Sequence, residues 1–239
     1  MTNDKGLTIE KNSSDFLQPS RIMTKDHSDQ RVLHYILNSN CWGRYSKLMG
    51  NFLQTKYADS LINALKELKC EELYVSELHG IGHIERTMLH GAMCAKAEDL
   101  SDDDTHLLLL MCAYHDTGRV DDRVDPLHGY RSSLNIARIT GLSGDELRIA
   151  EAGVEAHSLN DWWMDAVIAK HFSSDLWRKP IFVRADRLSK MLKDADGLDR
   201  VRINDLDPNR LRWLDSRERA DFAQYLFNIY TEAPKKHKD

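Results

Sequence analysis

Apolar residues recur at helical spacing along most of the chain, and period-two alternation is scarce, so the pattern predicts an all-α protein. Over residues 30–69 the periodic positions are Val32, Leu33, Ile36 and Leu37, then Leu61, Ile62, Leu65 and Leu68, with Cys41-Trp42-Gly43 as a break. This stretch reads as an N-terminal helical extension over 26–77, preceded by a polar, aperiodic and therefore flexible arm over 1–25. A helix over 83–97 carries Ile84, Met88, Leu89 and Met93 on one face. Ser101 and the three aspartates after it supply an N-cap and first-turn acids for a helix over 105–114. The next helix, over 129–140, stops at Gly141, and Ser143-Gly-Asp-Glu146 offers a capping-box-like start to one that reaches Ala156. Helices over 162–172, 181–194 and 216–230 complete a helical-bundle domain over 78–231, and 232–239 reads as a solvated tail.

Composition narrows the class. The 239 residues are 41% hydrophobic and 30% charged with 12 Gly and 5 Pro, which excludes disordered, collagenous and fibrous chains. A net charge of −5 leaves no global positive field for nucleic acid, so anion binding falls to local Arg or Lys groups. The longest strongly apolar run, 107–114, is far short of the roughly 20 residues of a membrane span, and the first residues lack a signal-peptide core; both point to the cytoplasm. Cys41, Cys70, Cys94 and Cys112 form no CxxC pair and are expected to be reduced thiols, with Cys94 and Cys112 packed as small hydrophobes.

Candidate chemistry lies in the placement of the eleven histidines. His83 sits at a helix start, His115-Asp116 closes an apolar helix, and Asp196 falls in the acid-dense stretch that follows Met191-Leu192. Imidazole and carboxylate together suit Mn, Fe, Zn, Ni or Mg, and the lack of a nearby cysteine argues against a structural zinc knuckle. A mixed His/Asp site of this kind points to catalysis.

The strings HGIGHIERT, HDTGR and KDADGLDRVR, in that order over residues 78–202, resemble the HD-domain superfamily of metal-dependent phosphohydrolases. The resemblance implies an all-α fold in which His83, His115, Asp116 and Asp196 converge on a divalent ion. Some members add ligands at the positions of His128 and His157; Asp116 would then bridge two ions, and the reading with both histidines around a single ion stays open. The GYP signature of the cyclic-di-GMP branch is missing, so that substrate is not carried over. Arg86, one helical turn after His83, and Arg119, three residues after Asp116, are candidates to face phosphoryl charge. The bland alternatives are a salt bridge from Arg86 to Asp199 or Glu155, and a solvated loop charge for Arg119. His79 precedes His83 by one turn, but the second histidine of the string is the ligand in the resembling motif. Asp186 competes with Asp196, which the DADGLDR string favours. His90 reads as packed, whereas Lys170, His171, Trp162, Trp163 and Trp177 are candidates to line a pocket that stacks a base.

The implied protein is a cytoplasmic phosphohydrolase with one or two divalent ions. It would hydrolyse a phosphomonoester, phosphoanhydride or phosphodiester, nucleotide-like in kind, with a metal-activated water and with Asp116 as the catalytic residue. The expected partner is a small phosphorylated molecule, without membrane or nucleic acid, and the N-terminal extension would cover the site or form a homodimer contact. Two rivals remain: a di-iron oxygenase, a branch that usually carries Lys at the position of Arg119, and a non-catalytic module that binds a nucleotide.

Overall fold

The structure is a computed structural model that describes residues 32–172 and 179–233; the predicted arm over 1–25, Trp177 and most of the tail lie outside the described residues. Its helices are α1 (Leu33–Leu37), α2 (Ser46–Leu53), α3 (Lys56–Lys66), α4 (Ile81–Ala97), α5 (Asp102–Tyr114), α6 (His128–Thr140), α7 (Gly144–His157), α8 (Asp161–Phe172), α9 (Lys179–Leu198), α10 (Leu214–Glu218) and α11 (Ala220–Glu232). Short 3-10 turns join several of them, and no strand occurs among the described residues, so the fold is all-α.

Local signals account for most boundaries. Ser101 caps α5 by accepting the amide of Asp104, and Gly141 ends α6 in the left-handed region at φ 73°. Two expectations need correction. The Ser143 hydroxyl makes no capping bond at α7. Helix α9 runs past residue 194 through Asp196, because Met191, Leu192, Ala195 and Leu198 continue its buried stripe. Asp194 inside this longer helix accepts the amides of Arg212 and Trp213. The helix expected over 216–230 is split into α10 and α11 at Arg219, whose buried guanidinium reaches the carbonyl of His90 and, at 3.0 Å, the Cys94 sulfur.

One continuous core runs from Val32 to Tyr230, so α1–α3 share it with the rest of the bundle. Helix α3 packs on α4 and α5, α4 packs on α5 and α9, and the α6–α7 hairpin joins through α7 to α9. Cys94 and Cys112 are buried, as their apolar context predicts. Helix α4 is the central element: nearly every residue from His83 to Ala95 is buried, polar ones included. Buried polar groups must be bonded to be tolerated. Glu85 illustrates this, with one carboxylate oxygen accepting the amides of Val32 (3.1 Å) and Leu33 (2.9 Å) and the hydroxyl of Tyr230 (2.5 Å). No described helix is long and apolar enough to cross a membrane.

Candidate metal centre

Five helix ends meet at one end of the bundle. The start of α4 brings His83, the end of α5 brings His115 and Asp116, the start of α6 brings His128, the end of α7 brings His157, and the last turn of α9 brings Asp196. All six predicted ligands therefore come together.

Hydrogen bonds fix which nitrogen each imidazole presents. His115 donates from Nδ1 to the carbonyl of Cys112 (2.9 Å) and His157 to that of Val154 (2.6 Å), while His128 Nδ1 donates to the carbonyl of Asp125. In each the acceptor lies three residues back, so the local backbone sets the tautomer. His83 donates instead to the Asp199 carboxylate at 2.7 Å. With every Nδ1 a donor outward, the neutral rings turn Nε2 lone pairs inward. The Nε2 atoms of His83 and His115 lie 3.1 Å apart, and those of His128 and His157 2.9 Å apart. Lone pairs facing each other at such distances call for a shared cation.

Asp116 divides the cluster in two. Its Oδ2 faces His83 Nε2 (3.6 Å) and His115 Nε2 (3.7 Å), whereas Oδ1 faces His128 Nε2 (3.1 Å) and His157 Nε2 (3.7 Å). Asp196 Oδ1 completes the first half at 3.3 Å from His83 and 3.8 Å from His115. Both oxygens of Asp116 are buried with no hydrogen-bond partner; Arg119 Nε pairs with Oδ2 at 3.0 Å, which leaves Oδ1, between His128 and His157, in a costly state unless a further cation meets it. The donor set of imidazole nitrogen and carboxylate oxygen thus fits one or two divalent ions.

The electrostatics agree. Burial pushes the His115 imidazole down to about 3 and lowers that of His157, which favours the neutral form a metal ligand needs. Burial alone would raise the Asp116 and Asp196 carboxyls, but both are held well below the usual range by the surrounding imidazoles wherever one carries a proton and, at Asp196, by Arg202 as well. Asp196 is the most open of the six side chains, at 22% exposure against 8% or less for the others, and marks the side from which solvent reaches the centre.

Close packing sets the second half. A Cβ on Gly129 would lie 2.8 Å from the carbonyl oxygens of both Val154 and Glu155, so only glycine lets the start of α6 press on the end of α7 and bring His128 to His157. The turn after Asp116 is pinned to α6 by Gly118 N to Ser132 Oγ (2.8 Å) and Arg131 Nε to the Gly118 carbonyl (2.8 Å).

The other predicted residues sort clearly. Arg119 is not a solvated charge: its Nε lies 3.0 Å from Asp116 Oδ2, and its side chain is 10% exposed. The expectation that Arg86 faces substrate is corrected, since its buried fork grips both oxygens of Asp199 at 2.6 and 2.9 Å. Glu155 on α7 pairs instead with Lys170 and His171 of α8, which ties those two helices together. Asp186 pairs with Lys190 on α9, away from the centre. His90 is packed edge-on to Phe222. Trp162 and Trp163 are exposed at the start of α8. His79 joins no ligand group but lies beside the centre, with Nδ1 2.9 Å from Asp122, which also accepts Ser76 Oγ at 2.6 Å. Sequence reasoning missed Asp122, Arg202 and the support given by Asp199 to His83; the spacing of three between Asp196, in the last turn of α9, and Asp199, in the 3-10 turn that follows it, was the available signal for the last.

Comparison of the chain with protein-family models, with curated proteins and with solved structures finds no match.

Proposed function

We propose that the protein is a metal-dependent phosphohydrolase of the HD type, acting on a phosphomonoester, phosphoanhydride or phosphodiester of a small, nucleotide-like molecule. The observation that carries this reading is the buried carboxylate of Asp116, without a hydrogen bond and ion-paired with Arg119 on one oxygen, set between two pairs of inward-facing imidazoles. Divalent ions bound there supply Lewis acidity toward a phosphoryl oxygen and lower the pKa of water. His83, His115, Asp116 and Asp196 would hold one ion, and Asp116, His128 and His157 a second. Arg119, close against Asp116, is the cation placed to meet the negative charge that grows on the transferring group. His79, with Nδ1 committed to Asp122 and its imidazole pushed toward the neutral form by burial, has the Nε2 lone pair as the group to take a proton from the attacking water. Asp196 lies on the open side, where the substrate arrives.

Elemental analysis beside phosphate release from a panel of phosphate esters and nucleotides tests the reading, with Asp116→Ala as the control. The parent should carry divalent metal and release phosphate; the variant should lose both while keeping parental helix content. Full turnover in the variant, or a metal-free parent after reloading, would overturn the reading. Iron together with dioxygen uptake would replace it with oxygenase chemistry.

A further inference from the structure

His83 differs from the other three inward-facing histidines in its support. Each of those gives its Nδ1 proton to a neutral main-chain carbonyl, whereas His83 gives its own to the Asp199 carboxylate, which is fully buried. A carboxylate acceptor raises the basicity of the imidazole and locks its plane. Asp199 itself is fully committed: Oδ1 accepts Arg86 Nε at 2.6 Å, and Oδ2 accepts Arg86 Nη2 at 2.9 Å and His83 Nδ1 at 2.7 Å. It is therefore a support and not a ligand.

Arg86 is held in turn by the last helix. Its guanidinium lies over the rings of Phe227 (5.1 Å) and Tyr230 (4.8 Å), both on α11. Gly82 makes the room, because a Cβ there would come within 3.2 Å of the Tyr230 ring and 3.3 Å of Arg86 Nη1. The chain of contact runs from two aromatic rings through a bidentate guanidinium–carboxylate pair to one imidazole.

We infer that Asp199 and Arg86 are positioning residues that, clamped by Phe227 and Tyr230, orient His83 and strengthen it as a ligand to the ion held by His83, His115, Asp116 and Asp196. This inference rests on the metal reading above, and it assigns to Arg86 a role distinct from substrate contact. The half of the centre built on His128 and His157 has no such support and does not depend on it.

Binding of Mn²⁺ to the full chain, followed by calorimetry, and the visible absorption of the Co²⁺-loaded protein test it without any turnover assay. Asp199→Asn puts an amide donor where Arg86 and His83 both donate; it should weaken the ion at the His83 position about 10–100-fold and alter the Co²⁺ spectrum. Arg86→Lys keeps the charge but loses the fork, and should weaken the same ion less. Tyr225→Phe, on α11 but outside this chain of contact, loses its bond to the Cys41 carbonyl, so it should lower stability and leave Mn²⁺ affinity unchanged. If Asp199→Asn fails to fold, Arg86→Lys decides the matter alone. Parental Mn²⁺ affinity in a folded Asp199→Asn or Arg86→Lys variant overturns the inference while leaving the metal reading intact. So does an equal loss of affinity in Tyr225→Phe, which would reduce the effect to general destabilisation. A parent that binds no Mn²⁺ overturns both.

Discussion

Replacing Gly129 with alanine probes how backbone contact between two helices sets ligand geometry. The new Cβ would sit 2.8 Å from the carbonyl oxygens of Val154 and Glu155, and the Val154 carbonyl is the group that fixes the His157 tautomer. Ordinary contact begins near 3.4 Å, so the start of α6 must back away by about 0.6 Å, carrying the adjacent His128 with it. Metal–ligand distances tolerate only about 0.2 Å, so the shift is enough to break the His128–His157 half of the centre. Overpacking of this kind costs about 1–3 kcal/mol, against which alanine regains at most about 1 kcal/mol of helix propensity. The expected result is a variant less stable by roughly 1 kcal/mol net that has lost the ion held by His128 and His157 and kept the one held by His83 and Asp196. Equilibrium dialysis against Mn²⁺ with elemental analysis reads the stoichiometry, and urea titration reads the stability. A variant that binds both ions with parental affinity would refute the reasoning, because the close approach would then have no bearing on the ligands.

Metal removal should lower thermal stability: at free ion a hundredfold above Kd the bound state gains about 2.7 kcal/mol, so EDTA should depress the Tm of a chain this size by about 5–10 °C. An unchanged melt would deny that the folded state binds metal. His90 gives a pH test away from the centre. Burial, then Arg219, pushes its imidazole down to about 3, from an ordinary value near 6.5 in the unfolded chain. Neutral His90 therefore contributes stability in full above about pH 6.5, and this is lost as pH falls toward 3, at about 1.4 kcal/mol per pH unit. Between pH 6.5 and 5 that amounts to about 2 kcal/mol, and His90→Leu should remove that part of the acid sensitivity in urea titrations. Identical pH slopes in parent and variant would contradict it.

The helical periodicity was legible because most elements bury a single face, and the caps at Ser101 and Gly141 are local chemistry that a short string declares. The candidate ligands were legible for a similar reason. His115 and His157 close helices and His128 opens one, so their placement at element ends could be read without knowing how the helices pack. Arg86 was harder. One turn from His83 it could face either way, and only the burial of α4 and the arrival of α11 decide that it turns to Asp199. The end of α9 was hidden because Asp194 finds its partners outside the helix, in Arg212 and Trp213, 18 and 19 residues on. His79 and Asp122 meet across 43 residues, a separation that no local pattern reports.

The single oxygen of Glu85 that takes both amides at the start of α1 and the hydroxyl near the end of α11 ties the first and last described helices to one point on the central helix. Undocking either helix leaves that buried carboxylate short of a donor, a loss of about 1–3 kcal/mol that loosens its hold on the other. The two ends of the fold therefore open as one cooperative unit, and their amides should exchange with solvent deuterium at matched rates. Trimming the chain at Val32 would be felt at Tyr230, almost two hundred residues away in sequence and in direct contact in space.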